Sequence, residues 1–407
     1  MKVRNFKIEL IRLLACLLVI WYHLRERPWK DTGELSEAIV FFECICCIAV
    51  IVFYIISGFF IYDKKGNIFK DWINLIKKFL LTIYVPFLIL AAISLIFNDF
   101  FINAATISEC ISRIDVNYIL SSLLLSIKNF SVTPSLPGTS AHFWYIYLYF
   151  VIMLVYPITR FVLTKCDRKI VYAILIVYFA YMAFNDYKIF YGDFSYNFIL
   201  EIIKKPIMYS AFGYILYHDV LIKKIDEKKT DTLIINKKLF VETIITYVVA
   251  FCLLYKTQSA YYIKAPNSPY VYISWLSFYS FVLATCFILF FYNINFDKLL
   301  NANVDVSEDK KAIKTAPVSV KLKDAVYFLA SKTLGIYMVH YFITNMFFSY
   351  DLKKYILYKK PTIFHQLLHY FILTILVFTI SLVIVVLVEN VVGMILKPRK
   401  LCKNGRK

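Results

Sequence analysis

The chain has 407 residues, of which 60% are hydrophobic and 18% are charged. A soluble domain averages about 45–50% apolar and about 25% charged residues, so this composition excludes a water-soluble globular protein. The formal net charge of +19 would suggest nucleic-acid binding in a soluble protein, but here the basic residues lie in short segments between apolar runs. We therefore expect an integral membrane protein that does not bind nucleic acid.

Ten apolar stretches are long enough, or nearly so, for membrane-spanning helices of about 20 residues. A weaker stretch, from Tyr118 to Ile127, is short for a span and is interpreted as re-entrant or surface-lying. The sequence therefore predicts an all-α, polytopic membrane protein with about ten transmembrane helices. In chain order the stretches cover 8–24, 38–62, 79–97, 143–156, 170–184, 196–217, 239–255, 270–292, 325–348 and 363–396.

The Lys and Arg residues between these stretches indicate the orientation of the chain. With the N-terminus in the cytoplasm, the inner segments contain 30 basic residues and the outer segments contain 12, which is the bias of the positive-inside rule. The last outer segment, 349–362, is the one poor fit because it contains four lysines. We predict that both termini are cytoplasmic, with a transmembrane domain over 1–397 and a basic tail over 398–407.

The sequence lacks the motifs of several common enzyme classes. No G-x-x-x-x-G-K-[ST], G-x-S-x-G or H-E-x-x-H motif occurs, which argues against ATP-driven, serine-hydrolase and zinc-protease mechanisms. Cys44, Cys46 and Cys47 cluster in an apolar run but lack a second pair at metal-ligand spacing, so we interpret them as packing residues. We expect no metal and no permanently bound cofactor.

Arg12 and His23 make the first stretch the leading candidate for function, because polar residues inside a span are costly. Arg12 also interrupts the apolar run, so we expect a retained helix rather than a cleaved signal. The two residues are eleven apart, which places them on one helix face about 16 Å from each other. Arg12 suits a phosphate or carboxylate, and the His23 imidazole can take a proton from a hydroxyl. The alternative is that Arg12 only pairs with Glu9 and that His23 only lies at the interface.

Two further histidines are predicted at the depth of His23. His142 begins the fourth stretch at its outer end, and His340 lies in the outer half of the ninth. Three of the six histidines at one level indicate a shared polar cavity, although chance or interfacial hydrogen bonding explains them equally well.

Four segments share their pattern with one known family. They are Glu9–Arg12 with His23, Phe53–Phe59 with its Ser57-Gly58, His142–Tyr147 with its Trp144, and Leu334–His340 with its Tyr337. In order and spacing they resemble the membrane-bound acyltransferase type 3 family, which O-acylates cell-surface polysaccharides and related glycans. The resemblance covers nearly the whole chain. One departure is that Lys77 and Lys78 stand where the family often has an Arg-x-x-Arg pair.

The resemblance implies an acyltransferase that takes an acyl group from cytoplasmic acyl-CoA, with acetyl-CoA as the expected donor substrate. The acceptor would be a hydroxyl of an extracytoplasmic polysaccharide or lipid-linked sugar. His23 would be the general base, with Arg12 as the second catalytic residue, and the donor would be bound with the help of Lys77 and Lys78. The family's structural motif corresponds to Ser57 and Gly58. The acceptor cavity would contain His142, Trp144, Tyr337 and His340.

We expect a multi-pass protein of the cell membrane that contacts lipids and acts alone or with a separate partner. One alternative remains a non-catalytic transporter or flippase that uses the same polar residues to pass a lipid-linked sugar or a small molecule. A membrane sensor module is a second alternative. Turnover discriminates among them, because only an acyltransferase consumes acyl-CoA in step with acceptor acylation.

Overall fold

The computed structural model describes residues 5–24, 37–64, 66–86, 144–191, 198–222, 236–264, 277–296, 318–349 and 363–396. Almost all of these residues are helical, which confirms the predicted all-α class. The helices are α1 Phe6–Leu24, α2 Glu37–Cys46, α3 Ile48–Ile61, α4 Ile68–Phe79, α5 Trp144–Leu154, α6 Tyr156–Lys165, α7 Arg168–Tyr191, α8 Phe198–Ile215, α9 Lys237–Lys264, α10 Phe278–Asn293, α11 Val318–Ser349 and α12 Ile363–Leu396. Two π-helical segments, Leu80–Tyr84 and Leu216–Leu221, extend α4 and α8.

Within the described ranges, four helical segments are long and apolar enough to cross a membrane. A fifth is possible if the bent pair Tyr145–Leu154 and Tyr156–Lys165 forms one span. The protein is therefore a helical membrane protein, and the count of ten spans stays a prediction. The weak stretch at 118–127 lies outside the described residues. The four segments are Val40–Ile61, Arg168–Lys188, Lys237–Ile263 and Leu368–Asn390.

The predicted fourth stretch, 143–156, ends differently in the structure. Helix α5 stops at Leu154, and α6 leaves it at an angle of 59°. The cause is Pro157, which lies in the first turn of α6. Proline has no N–H to donate and disfavours helical geometry in the residue before it, so the chain bends here and restarts as a new helix.

The centre of the molecule is formed by α1, α3 and α11. The contacts between α1 and α11 advance in the same direction along both helices, because Arg12 contacts Thr333 and His23 contacts His340. The two helices therefore run parallel. In contrast, α12 runs antiparallel to α11, since Lys332 contacts Glu389, while a Cβ atom added to Gly335 would lie 2.7 Å from the Val385 side chain.

Helices α3 and α8 pack with their backbones in close contact. A Cβ atom added to Gly58 would lie 1.9 Å from the carbonyl oxygen of Ser210, and one added to Gly213 would lie 2.1 Å from that of Ile55. Only glycine fits at either position. This pairing of glycines is the small-residue packing that lets helices approach closely in membranes, and it holds α3 in place beside α1.

Candidate active site

The two polar residues of α1 mark the two ends of the candidate site. At one end, the Nη2 atom of Arg12 lies 3.4 Å from the Thr333 hydroxyl. At the other end, the imidazole ring of His23 lies 5.3 Å from that of His340, measured between ring centroids. Because α1 and α11 run parallel over this length, both ends lie along the same pair of helices.

The histidine end contains His23, His340 and Tyr341. The ring of His23 stands edge-on to that of Tyr341, with 5.0 Å between the ring centroids. The residue that precedes Tyr341 on α11, His340, is fully buried. The Nδ1 atom of His340 is 2.7 Å from the carbonyl oxygen of Tyr337. A carbonyl can only accept, so Nδ1 carries the proton, and in the neutral ring Nε2 is left with the basic lone pair. This bond fixes both the tautomer and the orientation of His340.

The arginine end combines a cation with an ion-pair partner. The Nη1 atom of Arg12 lies 3.0 Å from a carboxylate oxygen of Glu9, and 31% of the Arg12 side chain remains exposed. Arg12 therefore does pair with Glu9, as the alternative interpretation expected. This ion pair does not use all of the five N–H donors of the guanidinium. Arg12 also interacts electrostatically with the phenol groups of Tyr145 and Tyr149, so it faces into the helix bundle.

A tyrosine cluster joins the two ends. It consists of Tyr54, Tyr145, Tyr149 and Tyr337. The ring of Tyr145 lies 4.8 Å from Tyr54, 6.1 Å from Tyr149 and 5.4 Å from Tyr337. Tyr337 in turn lies 5.6 Å from His340. Aromatic groups therefore lead without a break from the surroundings of Arg12 to His23.

Ser57 lies beside this cluster. Its hydroxyl donates to the Phe53 carbonyl over 2.8 Å, and the rings of Phe53 and Tyr54 on the same helix lie against Tyr145. Its neighbour Gly58 provides the close packing against α8. The Ser57-Gly58 segment thus combines one residue that faces the site with one that fixes the helix carrying it.

Of the remaining predicted site residues, the structure describes only the two lysines in full. Lys77 and Lys78 are exposed at the C-terminal end of α4. His142 lies outside the described residues. Trp144 begins α5, but its side chain is outside them as well.

The sequence analysis missed several members of the site. Tyr54 and Tyr145 fall inside the segments that carry the family resemblance, so the motif itself was a signal for them. Tyr149 lies four residues after Tyr145 on the same helix face. Thr333 gave no signal, because its role depends on which residue of α1 packs against α11.

The type 3 acyltransferase family, described as an acyltransferase domain, matches residues 5–386, which is nearly the whole chain. The chain belongs to this family, and the protein is therefore an acyltransferase of the membrane. No curated protein and no solved structure matches the chain significantly.

Proposed function

We propose that the protein moves an acyl group, specifically acetyl, from cytoplasmic acyl-CoA to a hydroxyl of an extracytoplasmic polysaccharide or lipid-linked sugar. The observation that carries the proposal is the arrangement along α1. A guanidinium, Arg12, and an imidazole, His23, stand about 16 Å apart on one helix face, and the tyrosine cluster lies between them. An elongated donor that carries phosphates at one end and a thioester at the other matches this arrangement.

In the reaction, the acceptor hydroxyl attacks the carbonyl carbon of the thioester. His23 takes the hydroxyl proton as the new C–O bond forms, and the C–S bond then breaks. The sulfur leaves with the proton returned by His23, so the products are the sugar ester and free CoA. A positioned general base contributes about 10²–10⁴-fold to such a step.

His340 supports His23 through its fixed ring. Because the Tyr337 carbonyl accepts from Nδ1, Nε2 is the hydrogen-bond-accepting atom of the neutral His340 ring. We infer that His340, Tyr337, His142 and Trp144 contribute to the acceptor cavity. The support for the first two is their contact with each other and with the His23 end of the site.

Arg12 is proposed to bind the anionic part of the donor. A guanidinium forms bidentate bonds with phosphate oxygens, and Glu9 holds it in position. Lys77 and Lys78 are exposed, so we propose that they add positive potential on the donor side of the membrane rather than direct contacts at the thioester.

The proposed topology has support from the helix directions. Parallel α1 and α11 need an even number of crossings between the starts of the two helices, as in the ten-span arrangement, where they are the first and ninth spans. A reporter fused after Lys407 should then give a cytoplasmic signal, and one inserted in 98–142 an extracytoplasmic signal. A C-terminal reporter outside the cell would reject this arrangement.

The direct test of the proposed function is whether O-acetyl esters form on the glycan. Glycans from cells with and without the protein are analysed for O-acetyl groups, and the purified protein is assayed for CoA release with and without added acceptor. We expect O-acetyl groups only in cells with the protein, and CoA release in step with acceptor acylation. Transport of a lipid-linked sugar without any CoA release would favour the flippase alternative instead.

A further inference from the structure

One buried hydroxyl of the tyrosine cluster is not used by the fold. Tyr54 on α3 is fully buried, and among the residues that the structure describes its hydroxyl has no hydrogen-bond partner. In contrast, Tyr62 at the end of the same helix is also buried, and its hydroxyl lies 3.0 Å from that of Ser210. Buried polar groups are normally hydrogen-bonded, because removing them from water without a partner is costly. The hydroxyl of Tyr54 therefore needs an explanation.

Packing does not explain this hydroxyl, since an aromatic ring alone would fill the position. The ring of Tyr54 lies 4.8 Å from that of Tyr145, measured between ring centroids. Phe53, its neighbour in the chain, also packs against Tyr145, at 6.2 Å, and has no hydroxyl. A phenylalanine in place of Tyr54 would keep the same ring contact. The polar atom is therefore better explained by a ligand than by the core.

Tyr54 lies partway between the arginine end and the histidine end of the candidate site. Its neighbour Phe53 packs against the two groups of buried residues that contain Cys16 and Val19. Both of these residues lie on α1 between the two ends of the site. The Tyr54 hydroxyl is also within electrostatic range of the phenol groups of two other members of the tyrosine cluster. It therefore lies beside the path that joins the two ends.

The proposed donor has a matching group at this place. In acyl-CoA the phosphates and the thioester are joined by the pantetheine arm, a flexible chain that contains two amide groups. With the phosphates at Arg12 and the thioester at His23, this arm passes the tyrosine cluster. An amide carbonyl accepts a hydrogen bond from a phenol O–H, which is the group that Tyr54 presents.

We propose that the Tyr54 hydroxyl donates a hydrogen bond to an amide carbonyl of the pantetheine arm, so that Tyr54 selects CoA thioesters as donors. This inference rests on the proposed function, because it takes acyl-CoA as the donor. Since the hydroxyl gives up no partner among the described residues, the new bond adds to donor affinity without breaking another one. Activated acyl groups without such an arm, for example acyl phosphates, gain nothing from Tyr54.

The test measures the binding of two ligands to the full chain in detergent by isothermal titration calorimetry. One ligand is acetyl-CoA, and the other is 3′-phospho-ADP, which is the nucleotide half of CoA without the pantetheine arm. Tyr54→Phe should bind acetyl-CoA about tenfold more weakly, as expected for the loss of one buried hydrogen bond. The same variant should bind 3′-phospho-ADP as the wild type does.

The matched control is Tyr292→Phe on α10. It also removes a buried hydroxyl that has no hydrogen-bond partner within the described ranges, but Tyr292 is not part of the tyrosine cluster. Both affinities should therefore stay at the wild-type level in this variant. A loss of acetyl-CoA binding in the control equal to that in Tyr54→Phe would overturn the proposal.

Two results with Tyr54→Phe would also overturn the proposal: unchanged affinity for acetyl-CoA, or an equal loss of both ligands, which indicates general damage to the fold. The wild type provides a test that needs no variant. It should bind acetyl-CoA more tightly than 3′-phospho-ADP, and equal affinities would contradict recognition of the arm. A wild type that binds neither ligand would instead reject acyl-CoA as the donor, and with it the proposed function.

Discussion

Helices α3 and α9 are both apolar but have opposite surroundings. In the span Val40–Ile61, which joins most of α2 to α3, 72% of the most apolar 18 residues are buried inside the protein, whereas in Lys237–Ile263 only 17% are buried. The exposed residues of α9 include an aliphatic set, namely Val241, Ile244, Ile245, Val248 and Val249. Helix α3 lies against α1, α8 and the tyrosine cluster, and it contributes Tyr54 and Ser57 to the site.

The difference shows where a membrane protein can keep polar groups. Lipid cannot satisfy hydrogen bonds, so polar residues in spans face the protein interior. Arg12, Thr333 and His340 satisfy this condition because α1 and α11 are enclosed by other helices. The outer helices supply this enclosure, and their exposed residues need only be apolar.

The largest effect is expected where the central helices touch backbone to backbone. Gly58→Val places side-chain atoms where a Cβ alone would already lie 1.9 Å from the Ser210 carbonyl. We expect destabilisation at or beyond the upper end of the about 1–3 kcal/mol typical of overpacked cores. The measurement is the folded fraction and Tm after extraction in detergent. Ala180→Val on the exposed side of α7 is the control, and equal stability of the two variants would refute the close packing of α3 on α8.

A smaller, purely functional effect is expected at Arg12. Hydrogen bonds to charged groups contribute about 1.5–3 kcal/mol, so Arg12→Gln should reduce acyl transfer by about 10- to 100-fold at normal protein abundance. Arg12→Lys should recover only part of the activity, because a point charge cannot replace the bidentate fork. Transfer rates are compared at matched abundance, and full activity in Arg12→Ala would remove Arg12 from the site.

The smallest effect is expected on the outer face. Val248→Leu on α9 adds a methylene group at a position that is 53% exposed, and we expect a change in stability within about 0.5 kcal/mol. The same substitution at the fully buried Val52 of α3 should cost about 1–3 kcal/mol. Both are measured as thermal unfolding in detergent. Similar losses at the two sites would mean that α9 is packed against protein.

Much of the fold was predictable because its determinants are local. Apolar stretches of about 20 residues and the charges between them define the helices. The bend at Pro157 was predictable from the same local rules, but the apolar pattern masked it. The distinction between α3 and α9 was not predictable, because both stretches are apolar and only the packing decides which one faces lipid.

The site was predictable only in part. Arg12, His23 and His340 stand out as rare polar residues in apolar stretches, and the structure brings the two histidines together. The tyrosine cluster does not stand out, because the chain contains 33 tyrosines. The contacts among α3, α5 and α11 decide which tyrosines meet. Residues that are distant in sequence form those contacts.

The central claim is that His23 is the general base, and one substitution tests it most directly. His23→Gln keeps a hydrogen-bonding group but cannot accept the proton. His218→Gln, the same change in the π-helical segment that ends α8, is the matched control. Ester formation is measured for both at equal abundance in the membrane. The account predicts loss of at least about 10²-fold for His23→Gln and near wild-type activity for the control; acylation by His23→Gln at close to the wild-type rate would contradict it.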